Sequence, residues 1–110
     1  MTPKELRLKT RAMGIQATDL ARIFDYDRRT IQRWYKTHMP PAVVEDWINT
    51  RWEAFLQEVC TTVASVREIS RVVVRDELWP DMSVKEREHL MAAVYLCCAV
   101  ERIEVDFLES

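Results

Sequence analysis

Residues 17–36, ATDLARIFDYDRRTIQRWYK, constrain the fold more than any other stretch of this chain. Leu20, Ala21, Phe24, Tyr26, Ile31 and Trp34 are its apolar or small positions. Their spacing fits two short helices packed across a tight turn at Asp25-Tyr26-Asp27. Asp25 takes the left-handed conformation better than most non-glycine residues, and Asp27 is suited to cap the helix that follows. Ala21 is small where two helices must cross closely. The second helix, over about residues 27–35, then carries Arg28, Arg29 and Arg33 outward.

The preceding segment supplies a third helix. Thr2 caps it, Pro3 takes its first position and Glu5 follows three residues after the cap. Its apolar residues are Leu6, Leu8, Ala12 and Met13, and it stops at Gly14, the only glycine in the chain. Ile15 leads into the next helix, for which Thr18 is the candidate cap.

Residues 2 to about 52 resemble the helix-turn-helix domain of the phage repressor and Cro type, also called the xenobiotic-response-element-like family. Such domains read G-L-S-Q-x-x-L-A-x-x-L-G-V-S-x-x-T-I-x-x-W-E. Here the run is G-I-Q-A-T-D-L-A-R-I-F-D-Y-D-R-R-T-I-Q-R-W-Y, from Gly14 to Tyr35. The core positions agree. The family's glutamine at the start of the second helix is Ala17 here, with Gln16 beside it. The turn glycine is Asp25, and the glutamate after the tryptophan is Tyr35.

The resemblance implies a lambda-repressor-like bundle whose third helix enters the major groove of double-stranded DNA. Arg28, Arg29, Thr30 and Arg33 would then face base edges. Arginine suits guanine because its planar fork meets O6 and N7 together. Gln32 is placed to the side. Gln16, Thr18, Tyr35, Lys36 and His38 become candidate phosphate contacts, aided by the amides that open the second helix.

Charge divides along the chain. Residues 1–51 hold ten Lys/Arg against six Asp/Glu, while residues 52–110 hold six against twelve. The +4 first part attracts phosphate and the −6 remainder stays off it. There is no signal-peptide pattern and no apolar run of about 18 residues, so the chain is expected to be cytoplasmic and to make no membrane contact. Cys60, Cys97 and Cys98 are expected as buried thiols, and with His38 and His89 they show no metal-ligand spacing. One glycine rules out a glycine-rich phosphate loop, and no nucleophile–base signature is legible. The expectation is a non-enzyme without cofactor or metal.

The second part reads as an assembly element. After Met39-Pro40-Pro41, apolar residues fall at Val44, Ile48, Trp52, Phe55, Val59, Val63 and Val66, one stripe on a long helix to about residue 68. Residues 69–75 contain Val72-Val73-Val74 and favour a short strand. Trp79-Pro80-Asp81 is a turn. Ser83 with Glu86 opens a helix carrying Leu90, Val94, Cys97, Cys98 and Val100. Ile103, Val105 and Phe107 then alternate with acids at strand period. The expected fold class is therefore mainly α with an α+β tail: a helix-turn-helix domain over 1–52, a long linking helix, and a strand–helix–strand dimerisation element within 53–110. The alternative is that both strand segments continue helices and the chain is all-α.

Element order, with PPAVVEDW and DELWP, is similar to helix-turn-helix regulators that include anti-CRISPR-associated repressors and carry a C-terminal dimerisation segment. Dimerisation is assigned to Val72, Val74, Val94, Ile103, Val105 and Phe107, since two strands alone leave exposed edges. A two-fold dimer reads an inverted repeat. The expected function is a sequence-specific transcriptional repressor, acting as a homodimer on DNA. The alternative is an antitoxin-type or adaptor protein whose acidic second part grips a protein partner.

Overall fold

The computed structural model describes residues 1–69, 71–74, 83–103 and 106–109, with side chains described for 1–68 and 83–103. Five helices carry the fold: α1 (Pro3–Met13), α2 (Ala17–Phe24), α3 (Arg28–Trp34), α4 (Ala42–Ile69) and α5 (Val84–Val100). Two four-residue segments, β1 (Arg71–Val74) and β2 (Asp106–Glu109), flank α5. The chain divides into two compact units, Met1–Ala54 and Phe55–Ser110.

In the first unit the helix boundaries follow from local chemistry. The Thr2 hydroxyl accepts the Glu5 N–H at 3.1 Å and caps α1. Gly14 ends α1 at φ 76°, and the Ile15 N–H returns to the Thr10 carbonyl at 2.8 Å. Asp25 ends α2 at φ 57°, where its N–H and that of Tyr26 both reach the Ala21 carbonyl. Asp27 Oδ1 accepts the Arg29 N–H at 2.6 Å and caps α3. The expected cap Thr18 lies instead inside the first turn of α2. Gln16 holds the cap position, and its N–H donates to Asp19 Oδ2 at 2.8 Å.

Leu6, Met13, Ile15, Leu20, Ile31, Trp34, Val44 and Ile48 form the core of this unit. Thr10 is buried among them and donates its hydroxyl to the Leu6 carbonyl at 2.7 Å. Leu8 and Ala12, also among the apolar residues of α1, are exposed. The inner face is Leu6, Thr10 and Met13, at steps of four and three. Phe24 meets Trp47 edge to face at 5.5 Å, and Tyr26 meets Trp34 likewise at 5.1 Å.

In the second unit α4 buries Phe55, Val59, Val63 and Val66, and α5 buries Leu90, Val94 and Cys98. The Ser83 hydroxyl caps α5 by accepting the Glu86 N–H at 3.1 Å. Arg67 of α4 makes a two-point ion pair with Glu101 at the end of α5. Cys98 is buried, and that burial pushes its thiol above the usual range, with Cys97 and Glu101 adding to the shift and Arg67 opposing it. Cys60, expected buried, is exposed on α4. Val100, the last residue of α5, is 75% exposed.

The expected class, mainly α with an α+β tail, is corrected at the tail: the fold is mainly α. The strand–helix–strand segment does not form a sheet layer; the two four-residue segments make one parallel ladder, Arg71 opposite Asp106 through Val74 opposite Glu109. A parallel pair needs a crossover, and α5 supplies it. A ladder this small has no independent stability, so helix packing carries the fold. The alternation from Ile103 onward also misled. Arg102 at φ 58° closes α5, and the Ile103 N–H bonds the Cys98 carbonyl at 2.8 Å. Ile103 thus belongs to the helix cap and not to a strand. Val105 and the turn at 79–81 lie outside the described residues.

Candidate nucleic-acid interface

α2 and α3 pack closely against each other across the Asp25–Asp27 turn. Ile31 and Trp34 anchor α3 by facing inward, 0% and 4% exposed. With 100° per residue, this inner pair turns Arg29, Gln32 and Arg33 to the opposite side, and all three are exposed. Thr30 is half-buried at one edge of that surface and the exposed Arg28 stands at the other. Gln32, expected to the side, belongs to the outward face, three residues from Arg29.

Arg28 has a second set of neighbours. It lines a cleft of about 400 Å³ together with Arg7, Thr10 and Arg11 of α1, Ile15 and Gln16 of the connecting turn, Ala17 and Thr18 of α2, and Tyr35. Three guanidinium groups and no carboxylate line this cleft, at the N-terminal end of α2. Positive charge and the N-terminal end of the helix dipole together favour an anion there. Arg7 Nη1 also donates to the Tyr35 carbonyl at 3.1 Å, tying α1 to the end of α3. Tyr35 is half-buried, and burial raises its phenol above its usual 10.0; nearby Asp19 adds to this, while a hydrogen bond with Thr10 and the charge of Arg11 oppose it. The phenol therefore stays a proton donor at neutral pH.

The expected phosphate contacts divide. Gln16, Thr18 and Tyr35 meet in the cleft. Lys36 and His38 do not line it. Both are exposed in the turn after α3, where the N–H groups of Lys36, Thr37 and His38 all reach the Arg33 carbonyl at 2.9–3.1 Å. The Thr37 hydroxyl and His38 Nδ1 are 2.7 Å apart.

Sequence reasoning missed Arg7 and Arg11. The signal was present as a basic pair at i, i+4 just before Gly14, on the α1 face that also carries Thr10. Among the expected dimerisation residues, Val94 is fully buried in its own unit and Ile103 is half-buried in the α5 cap. Val72 and Val74 lie in β1 and Phe107 in β2. Among the described residues no helix is long and apolar enough to cross a membrane, and no group of three His, Cys, Asp or Glu side chains is placed to hold a metal ion. Comparison with family models, with curated proteins and with solved structures finds no match to this chain.

Proposed function

We propose that the chain is a sequence-specific DNA-binding regulator, a repressor that acts in the cytoplasm as a homodimer on an inverted-repeat operator. The observation that carries this reading is the joint placement of an arginine-rich exposed helix face and an anion-ready cleft on the same small unit. Arg29, Gln32 and Arg33 project from one side of α3. Arginine reads guanine and glutamine reads adenine through paired hydrogen bonds to base edges in the major groove. Arg28 joins Arg7 and Arg11 around the cleft, where a backbone phosphate sits against the opening amides of α2 and the Tyr35 hydroxyl. Phosphate contacts fix the register and the α3 face reads sequence. Two copies related by a two-fold axis present the same face to two half-sites, so the operator repeats in inverted order. The reading involves no catalytic step and no cofactor.

The test is selection from a random duplex DNA library with the purified full chain at about 150 mM salt, where non-specific phosphate attraction is weak. Enrichment of an inverted repeat with guanine-containing half-sites is the expected result. A folded sample that enriches no sequence refutes the proposal and points to a protein partner for the acidic second unit.

A further inference from the structure

The cleft of the first unit holds more positive charge than one backbone phosphate neutralises. Arg7, Arg11 and Arg28 line it, and among the described residues no carboxylate pairs with any of them. Arg7 donates to a neutral group, the Tyr35 carbonyl. Asp19, which follows Thr18, does not line the cleft. Its carboxylate accepts the Gln16 N–H at 2.8 Å and lies 3.8 Å from Arg22. The set is therefore net positive, and it gathers anions.

A phosphodiester matches this set poorly. It brings one negative charge and two non-bridging oxygens. A phosphomonoester brings a charge of about −1.5 to −2 at pH 7 and three strong acceptor oxygens, one for each guanidinium fork. Size points the same way. The cleft of about 400 Å³ falls within the range of roughly 300–1,000 Å³ found for small-molecule sites, and a phosphate group alone does not fill it. Gln16, Thr18 and the Tyr35 phenol add neutral polar groups beside the arginines.

We infer that the cleft binds a small phosphomonoester, which competes there with the DNA backbone and so releases the operator. The phosphate is held among the three guanidinium groups, and a short polar body takes the remaining volume beside Gln16 and Thr18. Monoester and backbone phosphate exclude each other from one site, so each weakens binding of the other. The release rests on the proposed DNA reading; the binding site itself does not.

Nuclear magnetic resonance titration of the full chain tests the site, with methyl phosphate and dimethyl phosphate as probes at about pH 8 and constant ionic strength. The monoester is a dianion there, since its second pKa is about 6. Methyl phosphate should shift the amides of residues 15–19 saturably in the millimolar range or below, and dimethyl phosphate should bind at least tenfold more weakly. Arg11→Ala and Arg28→Ala should each weaken the monoester at least tenfold with an unchanged helical circular-dichroism spectrum. Lys4→Ala, at an exposed base of α1 outside the cleft, should not. Equal affinity for the two esters, or wild-type affinity in R11A and R28A, overturns the inference.

Release is read by fluorescence anisotropy of the selected operator with 5′-hydroxyl ends. Methyl phosphate should displace it where dimethyl phosphate and sodium chloride of equal ionic strength do not; equal displacement by all three overturns the competition. Tighter binding of duplexes with 5′-phosphate ends, by a chain that ignores methyl phosphate, assigns the cleft to DNA termini and overturns the small ligand. An operator selected by a chain that does not bind methyl phosphate overturns this inference and leaves the DNA reading in place. A chain that binds methyl phosphate and selects no operator refutes the DNA reading, and release with it, while the monoester site stands.

Discussion

Arg7 Nη1 donates to the carbonyl of Tyr35 across 3.1 Å, joining the middle of α1 to the residue that closes α3. The bond satisfies a carbonyl at the helix end and holds a guanidinium at the edge of the cleft that Arg11 and Arg28 also line. Structure and proposed function meet in this contact, because the guanidinium that ties α1 to the end of α3 also supplies positive charge to the cleft.

Arg29→Ala and Arg33→Ala should each remove a base contact without disturbing the fold, since both side chains are exposed. A lost bidentate contact costs about 1–3 kcal/mol of discrimination. Binding isotherms on the selected operator should weaken accordingly, while far-ultraviolet circular dichroism stays that of the wild type. Unchanged affinity in both variants would exclude α3 as the reading helix.

Arg11→Ala isolates the proposed phosphate contact of the cleft, because the Arg11 side chain is exposed and lines it. Its affinity loss should be nearly the same on operator and random DNA, and the slope of log affinity against log salt should fall by about one. A loss confined to the operator would move Arg11 from phosphate to base.

Asp27→Ala removes the cap of α3. The Arg29 N–H then loses its acceptor, and the melting temperature should fall by the equivalent of about 0.5–2 kcal/mol. Asp27→Asn or Asp27→Ser should retain most of the stability, because both still present an oxygen to that N–H. Thermal denaturation of the three variants side by side distinguishes capping from a charge effect.

Tyr35 sets an alkaline limit. Its phenol has a folded-state pKa raised by burial above the usual 10.0 of the unfolded chain. The folded state therefore holds the proton more tightly, so its stabilising contribution is whole below about pH 10 and is lost as pH rises through the raised value. The melting temperature should decline above pH 10, and Tyr35→Phe should flatten that decline. An identical decline in both proteins would assign it to other groups.

Ile31→Ala probes the support beneath the reading face. Ile31 is fully buried, and truncating such a residue costs about 2–5 kcal/mol. Denaturant titration should show that loss, with DNA affinity falling only where the unfolded fraction becomes significant.

Legibility in the sequence tracked how local the cause of each feature was. Gly14, Asp25 and Asp27 act on backbone groups within a few residues, so the three helices of the first unit and both their turns were readable. The stripe from Val44 to Val66 was readable for the same reason, since one helix imposes its period on the side chains it buries. Trp52, on the same stripe, is only half-buried, because a period says which face a residue occupies and not how deeply. Thr18 failed as a cap because Gln16 and Asp19, neither a leading capping signal, made the contact instead. Cys60 failed as a buried thiol because apolar character alone does not say whether a face is covered. Ile103 failed because its alternation with Glu104 imitates a strand, while the left-handed Arg102 that redirects it carries no glycine to announce the turn.

What the sequence determined by itself is the set of helices, the caps at Thr2, Gly14, Asp27 and Ser83, and the outward arginines of α3, because spacing and capping chemistry are local. Tertiary structure decided which side chains converge. It brought Arg7 and Arg11 to Arg28 across a fold that separates them by up to 21 positions in the chain, and buried Val94 in its own unit. Convergence and burial depend on contacts between residues distant in sequence, and no periodicity within a single helix encodes them.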